Sequence, residues 1–378
     1  VFSPFAVAMQ RGGAVCALAL PSEVWIEVLS RLNGQDLARA LCTCKAFSRL
    51  QQPVWQAACF KRWNKWSSYL DPASHWRRQY ELLCLRELAE QTVADVGQIR
   101  NAQQFVSDRH RAVLVEWMCE IAMDWNLETA IAFKAVAYLD RYLSRSSVSR
   151  LARFQLVGIA CLRTAMGDMR QPTALVTEKH MDAATFAYLS DDTYTSQEVE
   201  EETQAVMALI NDTTKVAPNP KMFLRTFWYR AIFKGVARAD DMHVYILASF
   251  LLQLSLLDLE CSAYSASLLG ASALSVALRF FGKPAWPLSM QQYAVYRADE
   301  LEPCAARLAF LQSSCEYMQL RQKWLTSHEN HGYEEHTDEW LRALAVMRGP
   351  CALESVPPAI PAQGLFAALD MGPTPMEV

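Results

Sequence analysis

Three histidines, His328, His331 and His336, stand among acidic residues, and together they offer the nitrogen and oxygen donors that hold zinc. Their spacing fits neither a single helical face nor an established ligand pattern. A solvated polar stretch is the simpler account, and no metal is expected. The chain has 11 cysteines but no Cys-x-x-Cys pair; the closest two, Cys42 and Cys44, fall inside an apolar helical pattern. A disulfide or zinc framework needs paired spacings, so the pattern points to scattered buried thiols in a reducing compartment. No glycine-rich phosphate loop and no nucleophile elbow is present. Neither catalysis nor a cofactor is expected.

Charge and aromatic clusters point to binding instead. Lys61, Arg62 and Trp63, then Lys65 and Trp66, then Trp76, Arg77 and Arg78 have the composition of a nucleic-acid contact or of a helical neck between domains. With 36 Lys and Arg against 40 Asp and Glu, a formal charge of -4, a generally cationic nucleic-acid binder is excluded and the neck is the simpler reading. Glu198, Glu200, Glu201 and Glu202 read as a solvated helix start. Leu365, Phe366 and Leu369 are either a short docking motif or an unoccupied part of a proline-rich tail. No segment reaches the roughly 18 uninterrupted apolar residues of a membrane span. Val244 to Leu259 is broken by Gln253 and Asp258, and Ala266 to Ala277 is followed by Arg279. Ala14 to Leu20 behind Arg11 has the outline of a secretory signal, but it runs into a better-explained helix.

Hydrophobic residues make up 52% of the 378, enough to bury two or three cores. Apolar positions recur with a period near 3.6 and few runs alternate, so the fold class is all-α. Val113, Leu114, Trp117, Met118, Ile121 and Trp125 mark one helix face, and Ile131, Phe133, Val136 and Leu139 mark a second helix. Phe154 to Met166 is apolar almost all round, as a central helix would be. Leu156, Val157 and Gly158 return as Leu268, Leu269 and Gly270, which suggests either a duplicated bundle wrapped around a central helix or two generic buried helices. Glycine in such a helix suits a neighbour that approaches closely. Pro218 and Pro220 place a linker at Thr213 to Lys221. A short helix is expected over Thr337 to Arg348, within a tail that prolines mark as mostly disordered.

Near the amino end, Pro21 and Glu23 open a helix, and Val24, Trp25, Val28, Leu29 and Leu32 follow at helical spacing. After Asn33 and Gly34 come Leu37, Leu41, Cys44, Phe47, Leu50 and Trp55. A module of about 40 residues rarely holds a private core without help, so some of these side chains should stay bare for a partner. The steps Leu20-Pro21-x-Glu23, Leu29-x-x-Leu32, Asp36-Leu37, Cys44-Lys45-x-Phe47 and the closing Trp55 resemble an F-box. That resemblance implies a three-helix module docking on the Skp adaptor, and through it on a cullin ubiquitin-ligase scaffold. It implies adaptor contacts at Leu20, Pro21, Val24, Trp25, Val28, Leu29, Leu37 and Trp55.

Further along, the run from Arg111 through Leu114 to Trp117 and the run Asp140-Arg141-Tyr142-Leu143 resemble the two signatures of the cyclin box. The likeness continues through Leu156-Val157-Gly158, Asp191 to Thr195, Leu254 to Asp258 and Trp286-Pro287, over roughly residues 100 to 325. Together with the F-box resemblance and the composition of the neck and tail, it divides the chain into an F-box at 17–60, a helical neck at 61–100, an N-terminal cyclin box at 101–215, a C-terminal cyclin box at 218–326 and a mostly disordered tail at 327–378. It also implies that Arg111 and Asp140 pair across a helix interface as an architectural ion pair. His110, Val113, Leu114, Trp117, Glu120, Phe154 and Gln155 correspond to the family's patch for Arg-x-Leu peptides, with His110 where Met is usual. An apolar floor would take the leucine and Glu120 the arginine. Kinase-binding members use a Lys and a Glu where this chain has Gly167 and Thr203, with Arg170 and Glu202 displaced nearby. Conventional kinase activation is therefore in doubt. The resemblance predicts a substrate-recognition subunit of a Skp–cullin–F-box ligase acting in cell-cycle control, in nucleus and cytoplasm, with neither nucleic acid nor membrane as a partner.

Overall fold

Sixteen α-helices and no strand occur among the described residues, which are 21–64, 70, 75–169, 182–210 and 215–313 of a computed structural model. Leu20, Lys65, Trp66, Arg170, the histidine cluster, the Thr337 to Arg348 helix and the Leu365 motif lie outside them. Two compact units are found. Among the described residues, those up to Leu85 together with Leu288–Val295 form the first, and those of Arg86–Pro287 with 296–313 form the second.

The first unit begins with α1 (Ser22–Leu29), whose first turn is closed by Pro21: its carbonyl accepts from the Val24 and Trp25 amides at 3.1 and 3.3 Å. Asn33 caps α2 (Gly34–Leu41) by accepting from the Asp36 amide at 2.9 Å, the role that short amide side chains fill at helix starts. Then come α3 (Lys45–Arg49), α4 (Gln51–Arg62) and α5 (Trp76–Glu90). Trp25 and Leu29 from α1, Leu37 and Leu41 from α2, Phe47 from α3 and Val54 and Trp55 from α4 share one core. That core does not close within the F-box-like stretch. Trp63, Leu70, Trp76, Tyr80 and Leu83, expected in a separate neck, are buried in it, as is Val295. Tyr80 packs 4.9 Å from Trp55 and 5.1 Å from Trp63, ring centre to ring centre. The neck therefore supplies the help that so short a module needs.

The basic members of those clusters are held by neighbours. Lys61 Nζ lies 2.7 Å from Glu27, Arg77 Nε lies 3.0 Å from Glu81, and Arg62 donates to the Tyr80 hydroxyl at 3.3 Å. Hydrogen bonds from Lys61 and then Arg31 hold the Glu27 carboxyl below its ordinary range. The cysteine expectation needs correcting at two positions. Cys59, Cys119, Cys161, Cys261 and Cys304 are buried, but Cys42 and Cys44 are exposed at the turn between α2 and α3.

A five-helix order occurs twice along the rest of the chain. Its first copy is α7 (Asp108–Asp124), α8 (Thr129–Arg145), α9 (Phe154–Met169), α10 (Ala183–Tyr188) and α11 (Ser196–Leu209), preceded by α6 (Val96–Ala102). The second copy runs α12 (Pro220–Phe233), α13 (Met242–Leu257), α14 (Ala266–Phe280), α15 (Leu288–Ala294) and α16 (Ala298–Ser313), of which α15 belongs with the first unit. In each copy the third helix is central. α9 packs on α7, α8 and α11, and α14 packs on α12, α13 and α16. Every residue from Phe154 to Leu162 is buried, and so is every residue from Leu269 to Ser275. Gly158 and Gly270 let the first helix of each copy approach its third. A Cβ on Gly158 would stand 2.7 Å from Leu114 Cδ1, and one on Gly270 would stand 2.9 Å from the Pro220 carbonyl oxygen. The duplication is thus physical as well as a matter of pattern.

Capping sets the helix starts. Ser107 and His110 form a reciprocal box at α7, and Thr195 and Glu198 form another at α11. Asn219 caps α12, which begins at Pro220, inside the stretch expected to be linker. Proline at the first helical position loses no hydrogen bond, so Pro220 starts a helix where it was expected to block one.

Lys221, in the first turn of α12, has its Nζ 5.3 Å from the Tyr245 ring centre and no carboxylate partner among the described residues. Burial pulls its ammonium from 10.5 down to about 8. The unfolded chain then holds that proton more tightly, so stability is reduced below about pH 8 and rises as pH climbs to about 10.5. Lys221→Met should stabilise the protein at pH 7 by on the order of 2 kcal/mol. It should also flatten the rise between pH 8 and 10.5 in denaturant melts; an unchanged profile would count against the account.

Candidate functional site

The second unit is organised around Arg111, which is 1% exposed. It projects from the first turn of α7, and its Nε and Nη2 donate to the two oxygens of Asp140 on α8 at 2.7 and 2.8 Å. Its Nη1 donates to the Leu256 carbonyl at 2.9 Å, and Nη2 also reaches Ser262 Oγ at 3.2 Å. Ser262 in turn donates to Asp140 at 2.8 Å. One guanidinium therefore ties the first helical copy to the second. Burial alone would lower its proton affinity, but Asp140 overcomes this and raises it. Each guanidinium nitrogen has an acceptor and no reactive atom is presented, so the cluster holds shape. Asp258 and Arg307 make a second two-pronged pair at 2.8 and 2.6 Å.

The seven docking-patch residues divide sharply. Leu114 and Phe154 are fully buried, Gln155 and Trp117 are 4% and 7% exposed, and His110, Val113 and Glu120 are half-buried. Leu114 and Phe154 need correcting as contact residues: Leu114 fills the space beneath Gly158, so neither offers surface to a peptide in this conformation. The accessible part of the patch is the α7 ridge of His110, Val113 and Glu120, with the rim of Trp117.

The adaptor residues divide the same way. Pro21 is exposed, Val24 is 41% exposed and Val28 is half-buried. Trp25, Leu29, Leu37 and Trp55 are 8%, 3%, 0% and 3% exposed and belong to the module's own core. Their part is to hold the module, because helical spacing alone does not say which side of α1 faces inward. Sequence reasoning counted both faces together.

Of the two positions that the resemblance assigns to kinase contacts, Gly167 is exposed on the last turn of α9. Thr203 is 5% exposed and donates back to the Val199 carbonyl at 2.7 Å. Glu202, read as part of a solvated acidic run, is 2% exposed. It accepts from the Tyr142 hydroxyl at 3.0 Å and from Arg153 at 2.8 and 2.5 Å. Its carboxylate is committed internally. The signal for this was available, since Glu202 falls three residues after the buried Val199 on the inward side of α11. Among the described residues, no group of three or more His, Cys, Asp or Glu is placed to hold a metal, and no helix is long and apolar enough to cross a membrane.

Two five-helix copies around buried central helices, behind a small helical module with exposed apolar positions, define a regulatory and adaptor architecture. The F-box-like domain matches residues 17–61, the cyclin N-terminal domain matches 80–212 and the cyclin C-terminal domain matches 218–337. The chain belongs to the cyclins and is an F-box cyclin, with an F-box-like domain ahead of its cyclin pair. It is 31% identical to cyclin-A1-3 of Oryza sativa subsp. japonica over 231 residues, covering 59% of this chain and 44% of that one. It is 32% identical to cyclin-A1-1 of Arabidopsis thaliana over 223 residues, covering 58% and 46%. The chain thus spans less than half the length of these curated relatives. A viral cyclin from herpesvirus saimiri shares the fold, with a TM-score of 0.50 and 17% identity over 61% of this chain and 95% of that one.

Proposed function

We propose that the chain is the substrate-recognition subunit of a Skp–cullin–F-box ubiquitin ligase, acting in cell-cycle control in nucleus and cytoplasm. What carries the reading is one chain with an F-box-like domain directly ahead of a cyclin pair. Pro21, just ahead of α1, and Val24, on it, are exposed and would meet the Skp adaptor, and the half-buried α7 ridge of His110, Val113 and Glu120 would take Arg-x-Leu-type peptides. The subunit would itself make no bond. It would raise the concentration of a bound protein beside the ubiquitin-loaded enzyme, which speeds transfer without a catalytic residue of its own.

The test is copurification with the Skp adaptor. Pro21→Ala with Val24→Asp should weaken binding at least about tenfold, as loss of central apolar contacts does. Melting should be unchanged, because exposed substitutions cost within about 0.5 kcal/mol. Intact protein that fails to bind, or variants that bind equally, would end the reading. For peptide capture, Val113→Asp is the cleaner probe, since Trp117→Ala would open a cavity.

A second reading is a regulatory cyclin of a cyclin-dependent kinase. The A-type cyclin relatives favour it, and they give no support to the doubt over a kinase partner. Gly167 and Thr203 then predict weak activation. Phosphotransfer by a reconstituted complex, without any need for the adaptor, would decide for this alternative.

A further inference from the structure

A cleft of about 480 Å³ lies in the second unit, between α8, the stretch around residues 89–98, the approach to α12 and the end of α13. Lys134 and Arg141 line it from one face of α8, two turns apart, and Lys215 lines it from the segment before α12. Two carboxylates also line it, and each already accepts a hydrogen bond. Asp140 serves Arg111 and Ser262, and Asp95 caps α6 by accepting from the Gln98 amide at 2.9 Å.

The cations are not matched. Arg141 Nε is buried without a hydrogen-bond partner. Burial, followed by the nearby Arg145, pulls that guanidinium below its ordinary value. Among the described residues the one carboxylate near Lys134 is Asp168, at 3.9 Å, which is already taken at 2.5 Å by the Tyr138 hydroxyl, and the Lys134 Nζ otherwise lies 5.8 Å from the Tyr138 ring centre. Burial lowers the Lys134 ammonium despite Asp168, and Lys215 presses it the same way. Leaving a buried donor unpaired is costly, and crowding uncompensated cations adds to that cost, so the arrangement is incomplete as it stands. An anion with several acceptor oxygens would complete it.

We propose that this cleft binds the phosphate group of a small molecule, held between Arg141, Lys134 and Lys215. A guanidinium and two ammonium groups lining one cleft match a dianion with several oxygens better than a lone carboxylate. The cleft is of the size that takes a small ligand. The inference is independent of the ligase reading, since no residue of the adaptor module or the α7 ridge takes part.

The experiment uses the full chain, titrated with inorganic phosphate and with adenosine monophosphate against potassium chloride at matched ionic strength. Phosphate or the nucleotide should raise the melting temperature, as any ligand of the folded state does, while chloride should not. Tighter binding of the nucleotide marks a phosphorylated metabolite as the ligand, and equal binding marks free phosphate; both support the site. The variant Lys134→Met with Lys215→Gln removes charges that have no good partner. It should melt at the same or a higher temperature without ligand, yet bind phosphate at least about a hundredfold more weakly, roughly tenfold for each cation lost. No response beyond that of chloride overturns the proposal. So does an equal response in the variant, which would place binding elsewhere, or equally tight binding of citrate, which would make the cleft a general anion trap.

Discussion

Arg111→Met should cost about 3 to 5 kcal/mol, measured by urea melts at pH 7, because it strands a buried carboxylate. Asp140→Leu should cost about as much for the mirror reason, an unpaired buried guanidinium. The double variant should be far less harmful than the sum, since a buried pair can often be exchanged for apolar groups of similar volume. It should not reach the wild type. Arg111 also donates to the Leu256 carbonyl and Ser262 Oγ, and an orphaned buried acceptor costs about 1 to 3 kcal/mol. The pattern of two large single effects and a smaller double one is what separates a charge pair from ordinary packing. Single variants costing less than about 1 kcal/mol would show that water reaches the pair and that the copies are joined by other means. A milder acid sensitivity belongs to the second pair. Burial would raise the Asp258 carboxyl, but the Arg307 fork and Cys261 overcome it and hold it below 3.8. Its contribution is present above about pH 4 and is lost as pH falls further.

How much of this could be read in advance depended on whether the partner had a residue type to betray it. The all-helical class followed from the 3.6 period, and α9 was legible as central because nearly every side chain from Phe154 onward is apolar. The Gly158 and Gly270 repeat was visible for the same reason: close approach demands a missing side chain. Leu256 was not legible as a partner of Arg111, because its part is played by a backbone carbonyl, 145 residues away in sequence. Trp63 and Trp76 misled because they adjoin Lys and Arg. Long basic side chains carry their charge outward while a neighbouring ring packs inward, so a cluster that looks like surface can be core. Spacing alone reads Leu114 as core, and it was the resemblance that set it and Phe154 in the docking patch; the floor of a shallow patch and the core beneath it share one helical face. Lys134 carried a signal that went unused. It interrupts an otherwise apolar stretch between Phe133 and Ala135, and such an interruption on a half-buried helix asks for a partner.

The two repeat glycines should respond differently to the same added methyl. In Gly158→Ala the new Cβ meets Leu114 Cδ1 at 2.7 Å and Cδ2 and Cγ at 3.0 Å, all side-chain atoms, though of a residue sealed in the core. Overpacking of this kind costs about 1 to 3 kcal/mol, partly offset by the roughly 1 kcal/mol that alanine adds to a helix. In Gly270→Ala the obstruction is the Pro220 carbonyl oxygen and Phe223 Cβ at 2.9 Å and the Leu224 nitrogen at 3.0 Å. Two of these are backbone, and the third is an atom that any residue except glycine would keep. α12 must therefore move as a body, and the expected loss is about 3 kcal/mol, larger than for Gly158→Ala. Truncation separates the two cases. Adding Leu114→Val to Gly158→Ala should recover about 1 kcal/mol relative to the sum of the single effects, as coupled neighbours do. Adding Phe223→Leu to Gly270→Ala should recover nothing, because the clash lies at and below Cβ. If Gly270→Ala melts in urea at or above the wild-type midpoint, α12 is free to retreat, and the close packing of first helix on third is not what holds the second copy together.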